Sequence, residues 1–194
     1  KVIQIPNAID ISSLSFDEDR KYEKQIIFAG RLSKEKGIKT LIEICKKLPQ
    51  DIHLIIIGDG PEVENIKKLE SSQNNIHYLG SKNHQQTISL IKGSDVLVQP
   101  SFSEGISTTI LESMACKTSI IASNVGGNLE LIQDQKSGIL VEPTNPEIFC
   151  EKIIELMSDK SLRNKLSTLS YENVKKYDWK IIGKQYLELY NSLL

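Results

Sequence analysis

The chain has 194 residues, enough for one substantial domain with its own hydrophobic core. Apolar residues make up 39% and charged residues 25%, and a net charge of −1 supplies no field that would argue for nucleic acid. No apolar run reaches the about 18 residues of a membrane span, and no secretory signal opens the sequence.

Residues 2–5 read as a short strand that stops at the turn pair Pro6-Asn7. Residues 11–24 are polar and aperiodic, a surface connection. Gln25–Ala29 is apolar and β-prone and ends at Gly30. Arg31 and Lys36 follow, at the mouth of a helix that carries Ile38, Leu41, Ile42, Ile44, Cys45 and Leu48 at helical spacing. A glycine at a strand end lets backbone approach a ligand; for one Arg and one Lys, solvated charge is the ordinary explanation. Residues 52–57 form a continuous apolar strand of the type buried on both faces of a parallel sheet. Gly58-Asp59-Gly60-Pro61 closes it, with proline near the first turn of a helix that reaches about residue 69. These glycines lack the third member of a dinucleotide fingerprint.

Residues 76–79 make a short strand ending at Gly80, and Ser81-Lys82-Asn83 lead into a helix over residues 84–91. The next strand, residues 95–98, runs into a loop of Pro100, Ser101, Ser103, Glu104 and Gly105. A helix opens near Ser107 and passes through Leu111, Glu112 and Ala115 to about Cys116. Residues 119–122 form another apolar strand, which ends in Asn124-Val125-Gly126-Gly127. A short helix over 129–132, a strand at Ile139–Val141, helices over 146–157 and 161–177, and a last amphipathic helix after the N-cap Asp178 complete the chain. Strands alternate with helices throughout, which predicts an α/β fold with a doubly wound, Rossmann-like parallel sheet.

Cys45, Cys116 and Cys150 are odd in number, far apart and set in apolar helical patterns. They read as small buried side chains in a reducing compartment. His53, His77 and His84 have no metal-ligand spacing, so no metal site is expected. The two parallel strands that end in Gly-bearing loops beside helix N-termini, residues 95–131, describe a phosphate-binding edge. Glu104 lies in the loop and Glu112 in the helix, with seven residues between them. At roughly 1.5 Å per residue, Glu112 lies about 8 Å deeper along the axis than Ser107. Such a pair could grip two sugars joined through a diphosphate, and ordinary loop and helix glutamates explain the spacing equally well.

The wording of the segment PSFSEGISTTILESMACKTSIIASNVGGNLELI carries more than its spacing. It resembles the nucleotide-sugar-binding segment of retaining glycosyltransferases of family 4, whose two-domain architecture is called GT-B. PNAID, GRLSKEKG and GDGP are similar to further motifs of that family, and the resemblance runs from Pro6 to Tyr190. The chain departs from the pattern after Cys116, where Lys117, Thr118 and Ser119 stand and the family has Gly and Pro.

The resemblance implies the C-terminal, donor-binding domain of such an enzyme over residues 1–194. Its N-terminal acceptor domain would be a separate part of the protein, and the first residue, lysine, fits a piece of a longer chain. Arg31 and Lys36 are then the cations of the donor diphosphate clamp, which suits a forked guanidinium and a point charge. Gly30 and the amides of Gly105, Ile106, Ser107 and Thr108 would surround the diphosphate. Glu104 would hold the donor sugar, Glu112 the ribose, and Ser81 and Lys82 the base. The substrate would be a nucleoside-diphosphate sugar, with no metal or other cofactor, and no Asp-x-Asp metal motif is expected in the chain. A cytoplasmic location, with peripheral membrane association through the N-terminal domain, is also implied. A GT-B sugar-nucleotide epimerase and a non-catalytic nucleotide-binding module are the alternatives.

Overall fold

The computed structural model describes residues 3–193. A strand in the middle of a parallel sheet has no wet side, and Gln25–Ala29 (β1) is buried at every position. The strands that follow are β2 (His53–Ile57), β3 (Ile76–Tyr78), β4 (Val96–Gln99), β5 (Ser119–Ser123) and β6 (Ile139–Val141). All pairings are parallel, in the spatial order β3-β2-β1-β4-β5-β6. The helices are α1 (Ile38–Lys47), α2 (Val63–Ser72), α3 (His84–Lys92), α4 (Thr108–Ala115), α5 (Asn128–Leu131), α6 (Pro146–Ser158), α7 (Lys160–Val174) and α8 (Trp179–Asn191).

Alternation along each strand divides the core into two layers. Ile26, Phe28, Leu54, Ile56, Val96 and Val98 meet Ile38, Leu41 and Ile44 of α1, Ile66 of α2, and Phe149 and Ile153 of α6. Ile27, Ile55, Leu97, Ile120 and Ala122 meet Ile88 and Ile91 of α3 and Ile110, Leu111 and Met114 of α4. Local signals set the helix ends. Asn83 and Gln86 form a reciprocal capping box at α3, Asn145 caps α6 ahead of Pro146, and Asp178 caps α8 through the Lys180 amide.

Of the strand expected over residues 2–5, the described part, residues 3–5, joins no ladder, and Val2 lies outside the described residues. Both neighbours of β1 are already occupied, and Ile3 stays 51% exposed. The N-terminal segment is tied down instead where Ile9 bridges to Asp178, its amide bonding the Tyr177 carbonyl and its carbonyl accepting from the Trp179 amide. Residues 11–24 are more than a surface connection, because Leu14 is buried and Phe16 packs against the core. The helix expected over 161–177 ends at Val174 and tightens into a 3₁₀ turn, Lys175–Tyr177. Cys45 and Cys150 are buried, but Cys116 is only half-buried. At the departure from the family pattern, Lys117 adopts a left-handed φ of 58°. Its amide bonds the Met114 carbonyl at 3.2 Å and the Thr118 amide bonds the Ser113 carbonyl at 3.0 Å, so the helix exits as a glycine would let it.

Candidate functional site

β1 and β4 are neighbours, yet α1 packs on one face of the sheet and α4 on the other. This is the switch point at which an open α/β sheet leaves a crevice beyond its carboxyl ends. Gly30, Gly58 and Ser81 follow β1, β2 and β3 there. They line a cavity of about 220 Å³ together with Lys82, Thr87 of α3 and Thr109 of α4.

Beside that cavity the loops after β1 and β4 are locked together. Gly37, the N-cap of α1, has a φ of 72°, and a Cβ there would lie 1.8 Å from the Pro100 carbonyl oxygen. Only glycine lets the two loops approach so closely. The approach brings Lys36 Nζ to 2.8 Å from both carboxylate oxygens of Glu104. Glu104 Oε1 also accepts from Gln99 Nε2 and Ser101 Oγ, each at 2.6 Å. The Glu104 side chain is 5% exposed, so these charge-assisted bonds replace the water it has lost. Gln99 Nε2 reaches on to Ser107 Oγ at 3.1 Å, which in turn caps α4 by accepting from the Ile110 amide. The Glu104 backbone is clamped from β5: its carbonyl accepts from Gly127 N, and a Cβ on Gly126 would come within 2.0 Å of it.

Glu112 belongs to a different environment. His84 Nε2, at the start of α3, lies 2.9 Å from Glu112 Oε1. Burial pushes the Glu112 carboxyl above its ordinary pKa, while the His84 hydrogen bond and charge act in the opposite direction. The amides of Gly105, Ile106, Ser107 and Thr108 donate to no acceptor among the described residues, which leaves the α4 N-terminus free to meet an anion. The Ile106 carbonyl accepts from Asn7 Nδ2 at 2.8 Å, so the Pro6-Asn7 pair braces this loop.

The expected site residues are therefore not one cluster. Lys36, Glu104 and Ser107 are joined by hydrogen bonds, while Gly30, Ser81 and Lys82 share the cavity. Glu112 sits one turn beyond Thr109, and Arg31 is exposed, with no side-chain partner among the described residues. The chain does spell one Asp-x-Asp, Asp17-Glu18-Asp19, against the expectation of none. The Asp19 amide bonds the Ser89 carbonyl, and a Cβ on Gly93, just ahead of β4, would meet the Asp19 carbonyl. Those acids therefore lie at the opposite end of the sheet. Among the described residues no group of three or more His, Cys, Asp or Glu is arranged to hold a metal ion. Gln99, Ser101, His84 and Asn7 were not foreseen as site residues. A polar glutamine at the end of an otherwise apolar strand was the one local signal for any of them.

A family model described as glycosyl transferases group 1 matches residues 11–173. An uncharacterized glycosyltransferase of Methanocaldococcus jannaschii is 30% identical over 194 aligned residues, covering 93% of this chain and 50% of that protein. The chain spans about half the length of the curated relatives it matches. The C-terminal domain of a glycosyl transferase group 1 family protein from Francisella tularensis superposes with a TM-score of 0.77 at 28% identity. That match covers 88% of this chain and 98% of the other. An Anabaena protein crystallised with UDP-glucose superposes with a TM-score of 0.84 at 20% identity, covering 97% of this chain and 57% of that one.

Proposed function

This chain belongs to the glycosyl transferases group 1 and has the Rossmann-like fold of GT-B enzymes, and from that premise we infer that it is the donor-binding half of a retaining, metal-independent glycosyltransferase. The observation that carries this reading is the join at the switch point: Lys36, Glu104, Gln99 and Ser107 bonded across two loops, beside the unpartnered amides of α4. The near-complete cover of the Francisella domain supports a C-terminal position, and the UDP-glucose held by the Anabaena protein supports the substrate class.

The reaction breaks the bond between the anomeric carbon and the nucleoside diphosphate. Negative charge grows on the leaving diphosphate, so fixed cations and helix amides aimed at it lower the barrier. Arg31 is free to fork onto the phosphates, and Lys36, already placed by Glu104, supplies a second charge. Gly30 and the amides from Gly105 to Thr108 approach the same anion from two loops. Glu104 retains lone-pair capacity on Oε2 for the hydroxyls of the donor sugar, and Glu112 has Oε2 open for the ribose. Ser81 and Lys82 line the cavity on the side assigned to the base. The acceptor would be a saccharide or lipid-linked saccharide, held by the N-terminal half.

Arg31, Lys36 and the α4 amides together offset charge on the diphosphate without calling on a divalent metal. Calorimetric titration of UDP, GDP and ADP, with and without EDTA, tests both points. One diphosphate should bind with the same affinity in either buffer. Loss of binding on chelation would overturn metal independence, and no binding by any of the three would overturn the donor site.

A further inference from the structure

We propose that His84 is a positioning residue of the nucleotide site: its imidazole holds the Glu112 carboxylate ionised and oriented toward the cleft, and so sets the pH range over which the ribose is gripped. The proposal deepens the function above and rests on its assignment of the ribose to Glu112.

The pair bridges two helices at the cleft. Thr87 is one turn after His84 on α3, and Thr109 is about one turn before Glu112 on α4. Both threonines line the 220 Å³ cavity, so the His84–Glu112 contact spans the gap between the helices beside it. Its two members differ in hydration: the Glu112 side chain is 15% exposed and that of His84 58%. A carboxylate so buried needs donors to stay charged. Among the described residues its carboxylate oxygens have one hydrogen-bond partner, His84, at 2.9 Å on Oε1. Oε2 is left for a ligand hydroxyl.

The electrostatics follow from that arrangement. Burial raises the Glu112 carboxyl's pKa, and the His84 bond and charge oppose the rise. From α4 itself the Cys116 thiol faces Glu112, but burial pushes that thiol up to about 12 and it stays neutral. From α3 the other charge nearby is Lys92, which acts on Cys116 and donates to the Phe16 carbonyl rather than to Glu112. His84 can donate through Nε2 in its neutral form and adds a positive charge when protonated. The bond therefore matters most as pH falls, where a lone buried carboxylate would be lost to protonation. The sign is definite: without His84, Glu112 takes up its proton at higher pH, and nucleotide affinity is lost at higher pH with it.

The test uses the whole chain, UDP as probe, and carboxyl ¹³C NMR of Glu112 without ligand. His84→Ala should move the Glu112 titration upward. It should change UDP affinity by less than about twofold near pH 8 and weaken it by on the order of tenfold near pH 5.5. His84→Gln, which keeps an N–H donor, should recover part of both effects. His84 is exposed in the first turn of α3, so the fold should survive either change, and thermal unfolding checks this. In Glu112→Gln the affinity should be weak, with only the pH dependence that the terminal phosphate of UDP brings, and adding His84→Ala should cost nothing more at any pH. An unmoved Glu112 titration in folded His84→Ala overturns the proposal whatever UDP does. UDP binding to Glu112→Gln as tightly as to the unaltered chain overturns instead the ribose assignment beneath it.

Discussion

Lys36 holds both oxygens of Glu104, whereas Glu112 bonds His84 alone among the described residues, so the two carboxylates can be separated by ligand. Glu112→Gln should weaken UDP and the intact nucleotide sugar by similar factors, since both carry the ribose. Glu104→Gln should weaken only the sugar-bearing form; it also frees Lys36, so UDP should bind no worse than before. A hydrogen bond to a charged group contributes roughly 1.5–3 kcal/mol, which corresponds to about ten- to a hundred-fold in affinity. Calorimetry with both ligands decides the matter, and equal losses of the two ligands in Glu104→Gln would reverse the assignment. Gln99 offers a subtler measurement. Its Nε2 donates to Glu104, but its Oε1 is buried without a partner. Gln99→Leu removes the bond to Glu104, worth about 1.5–3 kcal/mol, and a weaker one to Ser107, and also removes an orphaned acceptor that costs about 1–3 kcal/mol. Thermal unfolding should therefore shift little while affinity for the nucleotide sugar falls about tenfold. A large loss of stability with unchanged affinity would make Gln99 a structural residue.

Loops after β1 and β4 reach the crevice only because α1 begins on a left-handed glycine pressed against Pro100. Gly37→Ala places a Cβ at 1.8 Å from a backbone oxygen and should destabilise the chain by at least about 2 kcal/mol in a urea titration. Gly105→Ala meets no atom within 4 Å and should stay within about 0.5 kcal/mol of the unaltered chain. Equal losses in the two variants would mean that the loops do not pack as described. α4 combines a side-chain cap, free amides and a left-handed exit at Lys117, whose Nζ lies 4.8 Å from the Tyr171 ring centroid. That cation–π contact, worth about 0.5–1 kcal/mol when exposed, offsets part of the cost of a lysine in a glycine conformation. α8 is the least embedded long helix. Ile182 is its one buried residue, while Trp179, Ile181, Leu187 and Tyr190 are each 45% exposed or more.

The crevice opens on one edge of one domain, with a donor site assigned to it and no second wall among the described residues. Under the proposed function this chain alone should bind nucleotide sugar yet transfer it at a small fraction of the rate reached with an N-terminal half restored. Product formation from a radiolabelled donor compares the two. Equal turnover by the 194-residue chain would mean that the acceptor site lies within it. No described helix is long and apolar enough to cross a membrane.

Alternating strand and helix patterns, the limits of β1 and β6, the Asp178 cap and the wording around Glu104 were all legible in the residues, because each depends on neighbours within a few positions. Those patterns were sufficient for the α/β class and the family. Residues 3–5 show where local pattern stops: they belong to a stretch that looks like a strand, but a strand needs a partner in register, and they pair with neither open edge of the sheet, β3 nor β6. The same holds for the site. Lys36 and Glu104 are 68 positions apart and His84 and Glu112 are 28 apart, so no spacing in the chain announces either contact. Strand order placed β4 beside β1 and made the first; the packing of α3 beside α4 made the second. The sequence alone therefore determined which groups could take part in the chemistry. The tertiary structure decided which of them are paired, buried or left free, because those properties depend on distance through space and on the water excluded there.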